Sequence, residues 1–189
     1  MNKPKLIVIS APSGSGKTTI ASEILRRHPE IRFSVSATTR PRREHETDGR
    51  DYYFLTRIQF EEKIRNGDLV EWEEIYGCYY GTLKSVVDAA LREGTTMLFD
   101  LDVKGALSIK QRYAGEALLL FIKPPSIDIL TERLKGRKTE SADVIKRRLE
   151  RVPMEMEKAK EFDFTVINDD LTNAVREVDE IVAHALEPA

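Results

Sequence analysis

Apolar residues along this chain come in short blocks of two kinds. Lys5 to Ile9, Thr96 to Asp100, Ala117 to Ile122 and Phe164 to Ile167 are continuous, β-branched or aromatic runs of the kind found in strands buried on both faces. Each is followed by a segment whose apolar residues recur three and four apart: Thr18 to Arg27, Lys104 to Tyr113, Ile127 to Leu134 and Leu171 to Leu186. In the first of these Ile20, Ile24 and Leu25 share one helical stripe, and His28-Pro29 ends it because proline cannot continue a helix. Strand alternating with helix predicts an α/β fold, a parallel sheet with helices on both faces.

Between Ser34 and Gly81 the rhythm breaks. A charged, arginine-rich loop (Arg40 to Arg50) leads to short aromatic strands around Tyr52-Tyr53-Phe54 and a helix from Gln59 to Arg65. Leu69 to Ile75 and Tyr79-Tyr80-Gly81 read as two more short strands with a turn at Gly77. The expectation is a single domain over 1–189 with an inserted subdomain at about 36–84. A polar interruption from Gly136 to Ser141 separates two further helices, and a short lid is expected at about 135–147. There is no internal repeat and no Pro, Gly or Ser-rich linker.

Composition narrows the function classes. Hydrophobic residues at 41% and charged residues at 33% suit a folded globular chain of 189 residues. A net charge of -2, from 30 basic and 32 acidic residues, lacks the basic field of a nucleic-acid binder, so anions must be met locally. The longest purely apolar run, Ala117 to Ile122, is too short to span a bilayer, and Met1 to Pro4 leads straight into a strand pattern. A cytoplasmic location is expected, with neither membrane nor nucleic acid as partner. Cys78 is the single cysteine, and His28, His45 and His184 are too dispersed to suggest a ligand cluster, so no structural metal site is expected.

The candidate chemistry begins between the first strand and the first helix, at Ala11-Pro12-Ser13-Gly14-Ser15-Gly16-Lys17-Thr18-Thr19. Small residues there let backbone N–H groups converge on phosphate oxygens; Lys17 can reach the β and γ phosphates, and the Thr18 hydroxyl is placed for Mg²⁺. This makes the sheet one of phosphate-loop NTPase type. Ala11 departs from the general pattern, which has glycine there and would be strained at a positive φ. An ordinary strand-to-helix turn is the plainer alternative. A switch GTPase would need a downstream Asn-Lys-x-Asp, and the only Asn-Lys is Asn2-Lys3.

A second anion site is suggested by Arg40, Arg43, Tyr52 and Tyr80, whose guanidinium forks and phenols suit a phosphate monoester. A solvated basic loop or a nucleic-acid patch remains open for the arginines, although Glu44, Glu46 and Asp48 interleave with them.

Five further blocks, Val35-Ser36-Ala-Thr-Thr-Arg40-Pro41, Gly49-Arg-Asp-Tyr52, Leu69-Val-Glu71-Trp72, Tyr79-Tyr80-Gly81-Thr82 and Phe99-Asp100-Leu-Asp102-Val-Lys-Gly105, resemble the successive signatures of the guanylate kinase family, in order and spacing. The resemblance runs from Leu6 to about Leu186. It implies an ATP:GMP phosphotransferase that makes GDP and ADP with Mg²⁺, in purine nucleotide metabolism, with dGMP as a further acceptor. By the same resemblance Ser36 and Thr82 donate to guanine O6, Glu71 accepts from guanine N1 and N2, and Asp102 is a nearby acceptor; many relatives carry serine where Thr82 stands. Arg40, Arg43, Tyr52 and Tyr80 fall on positions for the GMP phosphate.

Such a donor–acceptor set would discriminate by pairing, because adenine would leave a buried carboxylate facing a lone pair. Arg133, Arg137 and Arg148 match the family's lid arginines, and Asp100 stands where an acidic residue lies near the metal, directly or through water. Asn168 matches a position near the adenine of ATP, with an Asn-Asp turn or helix cap as the alternative reading. Rival functions are a phosphate-loop kinase for another small acceptor and a peptide-binding module of the same fold. Glu71 with Ser36 and Thr82 opposes the first, and Gly14, Gly16, Lys17 and Thr18 oppose the second.

Overall fold

A computed structural model describes residues 5–136 and 142–187. Its main sheet holds five parallel strands: β1 (Leu6–Ser10), β2 (Arg32–Phe33), β7 (Met97–Asp100), β8 (Ala117–Lys123) and β9 (Phe164–Ile167), in spatial order β2-β7-β1-β8-β9. Every residue of the central strand β1 is buried, which is why its sequence is apolar without alternation. Ile7 and Ile9 pack with Ile20 and Ile24 of α1 (Lys17–Arg27) and with Val175 and Val178 of α7 (Leu171–Leu186). Leu6 and Val8 pack on the opposite face with Val87 of α3 (Lys84–Glu93) and with Ala106 and Ile109 of α4 (Val103–Arg112).

A second, mixed sheet is built from β3 (Ala37–Thr38), β4 (Tyr53–Phe54), β5 (Leu69–Ile75) and β6 (Cys78–Leu83), in the order β4-β3-β6-β5. Its own small core gathers Ala37, Leu69 and Tyr79 around the fully buried Phe60 of α2 (Arg57–Asn66). α2 starts with a capping box: the Thr56 hydroxyl accepts from the Gln59 backbone N–H, and the Gln59 side chain accepts from the Thr56 backbone N–H.

Three features differ from the sequence reading. β9 is not buried on both faces; it is an edge strand paired only with β8, and Phe164 and Ile167 are exposed. α3 was not anticipated, because it follows β6 without any intervening turn residue. The expected lid overlaps the end of α5 (Ile127–Gly136) and the first turns of α6 (Ala142–Lys158), so 142–147 are helical. The rest of that lid, Arg137 included, lies outside the described residues.

Candidate active site

The chain leaves β1 at the C-terminal end of the parallel sheet and turns through 11–16 into α1. Gly14 and Gly16 take φ of 96° and 86°, left-handed values that turn the backbone toward the helix N-terminus. Ala11 has no positive φ; among the described residues Tyr76 is the one non-glycine that does, so alanine at 11 carries no strain. Gly16 is required for a second reason: a Cβ there would lie 2.4 Å from the Asn168 amide nitrogen. That amide donates to the Ser15 carbonyl at 2.7 Å, so Asn168, buried at the end of β9, braces the loop from beneath.

Lys17 and Thr18 open α1 and share one acidic partner. The Lys17 ammonium is paired with the Asp100 carboxylate and donates to the Leu101 carbonyl at 2.8 Å. The Thr18 hydroxyl donates to Asp100 Oδ2 at 3.3 Å. Asp100 can do both because β7 lies beside β1 and ends level with it, with Ile9 and Asp100 in register.

Opposite this loop stands the β5–β6 hairpin. Alternation along β5 sends Glu71, Glu73 and Ile75 toward the space between the sheets and leaves Trp72 and Glu74 exposed on the other face. Glu71 and Thr82 are cross-strand partners, and the Thr82 hydroxyl donates to Glu71 Oε1 at 2.6 Å. Burial, reinforced by the nearby charges of Asp102 and Glu73, pushes the Glu71 carboxyl up to about 7, against the pull of the Thr82 bond.

Asp102 caps α4, accepting from the Gly105 N–H at 2.8 Å. Burial and the adjoining Glu73 push it up to about 7. Glu73 is half-buried, which works against its charge, but its contact with Asp102 and its 2.7 Å pair with Lys104 hold it below the usual carboxylate range. α4 approaches Glu71 so closely that a Cβ on Gly105 would sit 2.7 Å from Glu71 Oε2.

The arginine loop folds back on itself. Arg40 pairs with Glu46 at 2.6 Å, which holds the Glu46 carboxyl down to about 2, and its guanidinium lies 5.2 Å from the Tyr52 ring centroid. Tyr52 and Tyr80 meet edge to face at 6.3 Å, and burial raises the Tyr52 phenol. Arg43 gives its backbone N–H to Glu46 at 2.8 Å, while the residue as a whole is exposed and away from the cavity wall.

Loop, hairpin and helix α6 enclose a cavity of about 360 Å³, with Lys17, Ser36, Tyr52, Glu71, Tyr80 and Arg148 among its walls. Arg148 donates to the Ser13 hydroxyl in the phosphate loop. Arg133, another of the expected lid arginines, donates to the carbonyls of Asn168 and Asp169 at 3.1 and 3.4 Å. No group of three or more His, Cys, Asp or Glu among the described residues could hold a metal by itself.

The family model described as Guanylate kinase matches residues 3–185. The chain belongs to the guanylate kinase family. It is 51% identical to the Guanylate kinase of Chlorobium luteolum over 174 residues, 92% of this chain and 88% of that one. With the Guanylate kinase of Chlorobaculum tepidum the identity is 48%, covering 98% and 95% of the two chains. The crystal structure of guanylate kinase from Anaplasma phagocytophilum superposes with a TM-score of 0.79 at 28% identity, covering 97% of this chain and 87% of that one. The enzyme is therefore a nucleoside monophosphate kinase of the phosphate-loop NTPase fold.

The cavity wall also carries three charged residues that the sequence reading missed: Glu73, Arg151 and Glu155. A signal for each was present. Glu73 is two residues beyond Glu71 and so on the same strand face, and Arg151 is three beyond Arg148 on one helix face. Glu155 follows Arg151 by four. None of the described helices is long and apolar enough to cross a membrane.

Proposed function

We propose that ATP occupies the phosphate loop and GMP the β5–β6 side of the same cavity, so that the γ-phosphate passes directly between them to give ADP and GDP. The observation that carries this reading is that the Lys17 loop and Glu71, itself held by the buried Thr82 hydroxyl, line one cavity. Glu71 as a carboxylate, with the Thr82 and Ser36 hydroxyls, presents the acceptors and donors that complement guanine N1, N2 and O6; adenine would leave Glu71 buried against a lone pair. Asp102 adds an acceptor at the same end. Tyr52 and Tyr80 line the acceptor side with Arg40 behind them, a set suited to a phosphate dianion, and Arg43 joins them once its exposed side chain is drawn in. We place this second sheet, within about 36–84, as the acceptor subdomain of a single domain. These residues read the base and the phosphate, so dGMP belongs to the same acceptor class.

The acceptor phosphate is already anionic, and the protein's task is to hold two polyanions together and offset the charge spreading over the moving group. Backbone N–H groups of 11–19 cradle the donor phosphates, Lys17 leaves Asp100 for them, and Arg148 lies beside the loop to meet the transferring group. Arg133 works with it from the end of α5, and Arg137 is proposed for the same role from the family resemblance. Asn168 acts through the loop it braces, under the donor nucleotide. Thr18 and Asp100 together offer the hydroxyl and carboxylate oxygens that Mg²⁺ accepts alongside phosphate oxygens, directly or through water. Mg²⁺ when bound neutralises part of the phosphate charge. Enclosure by α6 limits water as a competing acceptor. A cytoplasmic place in purine nucleotide metabolism fits such substrates and the free thiol of Cys78.

The deciding experiment is ADP formation from ATP and Mg²⁺ with GMP, dGMP, AMP, UMP or CMP as acceptor. GMP and dGMP should be turned over and the others rejected by orders of magnitude. Equal use of AMP would remove the guanine assignment.

A further inference from the structure

Four carboxylates stand at the base end of the cavity: Glu71, Glu73, Asp102 and Glu155. So many acids on one wall repel each other and tend to take up protons or swing toward solvent, unless a cation holds them in place. Arg151 meets three of them. Its guanidinium lies 3.3 Å from Asp102 Oδ2 and 3.5 Å from Glu73 Oε1, and its Nε lies 3.7 Å from Glu155 Oε1. Its side chain is only 22% exposed, whereas Lys104, which reaches Glu73 from the outside, is 51% exposed. A half-buried planar fork fixes the directions of its partners in a way that a solvated ammonium does not.

We infer that Arg151 is a positioning residue of the guanine subsite: by bridging α6 to Glu73 on β5 and Asp102 on α4 it aims the acceptor carboxylates at the purine 2-amino edge. This rests on the reading of the Glu71 side of the cavity as the base subsite. Arg148 lies one helical turn earlier on α6 and touches Ser13 in the phosphate loop, so one helix face meets both nucleotide subsites. Seating of the base and placement of Arg148 are thereby tied through a single rigid element.

The test compares GMP with inosine monophosphate, the same 6-oxopurine without the 2-amino group, in the wild-type enzyme, Arg151→Met, Arg151→Lys and Glu71→Ala. Arg151→Met should raise the KM for GMP on the order of tenfold and cut the preference for GMP over inosine monophosphate by a similar factor, the scale of one lost charged hydrogen bond. KM for ATP should move less than about twofold, since no ATP contact is removed. Arg151→Lys keeps the charge but not the fork, and should recover part of the preference; if the methionine variant does not fold, the lysine variant alone must show a selective loss of about threefold.

An unchanged ratio of GMP to inosine monophosphate, or equal losses toward GMP and ATP, would overturn the role of Arg151. A wild-type enzyme indifferent to the 2-amino group, or a Glu71→Ala variant with unaltered GMP KM, would instead overturn the base-subsite reading beneath it.

Discussion

Glu71 and Thr82 face each other across the β5–β6 pair, and the Thr82 hydroxyl donates to the Glu71 carboxylate at 2.6 Å in a site nearly closed to solvent. A hydroxyl gives one proton at a time. With guanine in the proposed subsite, Thr82 would turn its donor to the base only if the guanine N–H groups replaced it at Glu71, so the pair would exchange one hydrogen bond for several.

Glu71 therefore sets a pH dependence. Its carboxyl rises from an ordinary 4.5 to about 7 in the folded protein, so below pH 7 the protonated form grows and an acceptor for guanine N1 is lost. kcat/KM for GMP should fall about tenfold per pH unit below 7, beyond the loss shown by Glu71→Gln, which shares the titration of GMP itself. The stability effect has the opposite sense. Because the folded state keeps this proton to a higher pH than the unfolded chain, stability is retained below about pH 4.5 and lost as pH rises toward 7, by about 3 kcal/mol relative to Glu71→Gln. Denaturant titrations of both proteins across pH 4 to 8 would show a constant difference if the shift were absent.

Gly105→Ala would place a methyl 2.7 Å from Glu71 Oε2 and 3.3 Å from Asp102 Oδ1. The carboxylate must shift, so KM for GMP should rise on the order of tenfold with KM for ATP unchanged. Helix propensity returns about 1 kcal/mol, so the variant should melt close to the parent. Steady-state kinetics against each substrate in turn check this; parallel rises in both KM values would contradict it.

Lys17→Ala removes the cation of the phosphate loop and frees Asp100 from its pairing. kcat should fall by at least about 10²-fold, as for the loss of an electrostatic stabiliser of a transition state. The pair is half-buried on the wall of an open cavity, where water can reach the Asp100 left behind, so the melting temperature should move by no more than about 4 °C. Retention of turnover in a clean preparation would remove Lys17 from catalysis.

Tyr76→Asn is a test of turn stability, read by melting because Tyr76 also lies on the cavity wall. Tyr76 and Gly77 form the two-residue turn between β5 and β6 with φ of 53° and 80°, a pattern that favours Asn-Gly. A tyrosine there carries a left-handed cost that asparagine lessens, so the variant should gain about 1 kcal/mol, or about 2–4 °C in melting temperature. A lower melting temperature would mean that the tyrosine side chain contributes more than the turn costs.

Much of this protein was legible residue by residue. The β1 strand, the phosphate loop and α1 are contiguous, and the extents of β5 and α7 coincide with those read from periodicity, because short-range pattern and local backbone geometry govern such elements. The family blocks likewise marked Glu71, Thr82 and Asp102, and the match to guanylate kinases bears out the activity they implied.

What the one-dimensional pattern left open depends on which distant segments meet. Asn168 reaches Ser15 across 153 residues and Arg151 reaches Asp102 across 49. Phe164 and Ile167 of β9 are exposed because, among the described residues, no strand pairs beyond it at the sheet edge. Sequence alone determined most of the elements, the phosphate loop and the chemical types available to the site. The tertiary structure decided which acids share a cation and which amide supports the loop, since burial and charge pairing are properties of neighbours in space rather than along the chain.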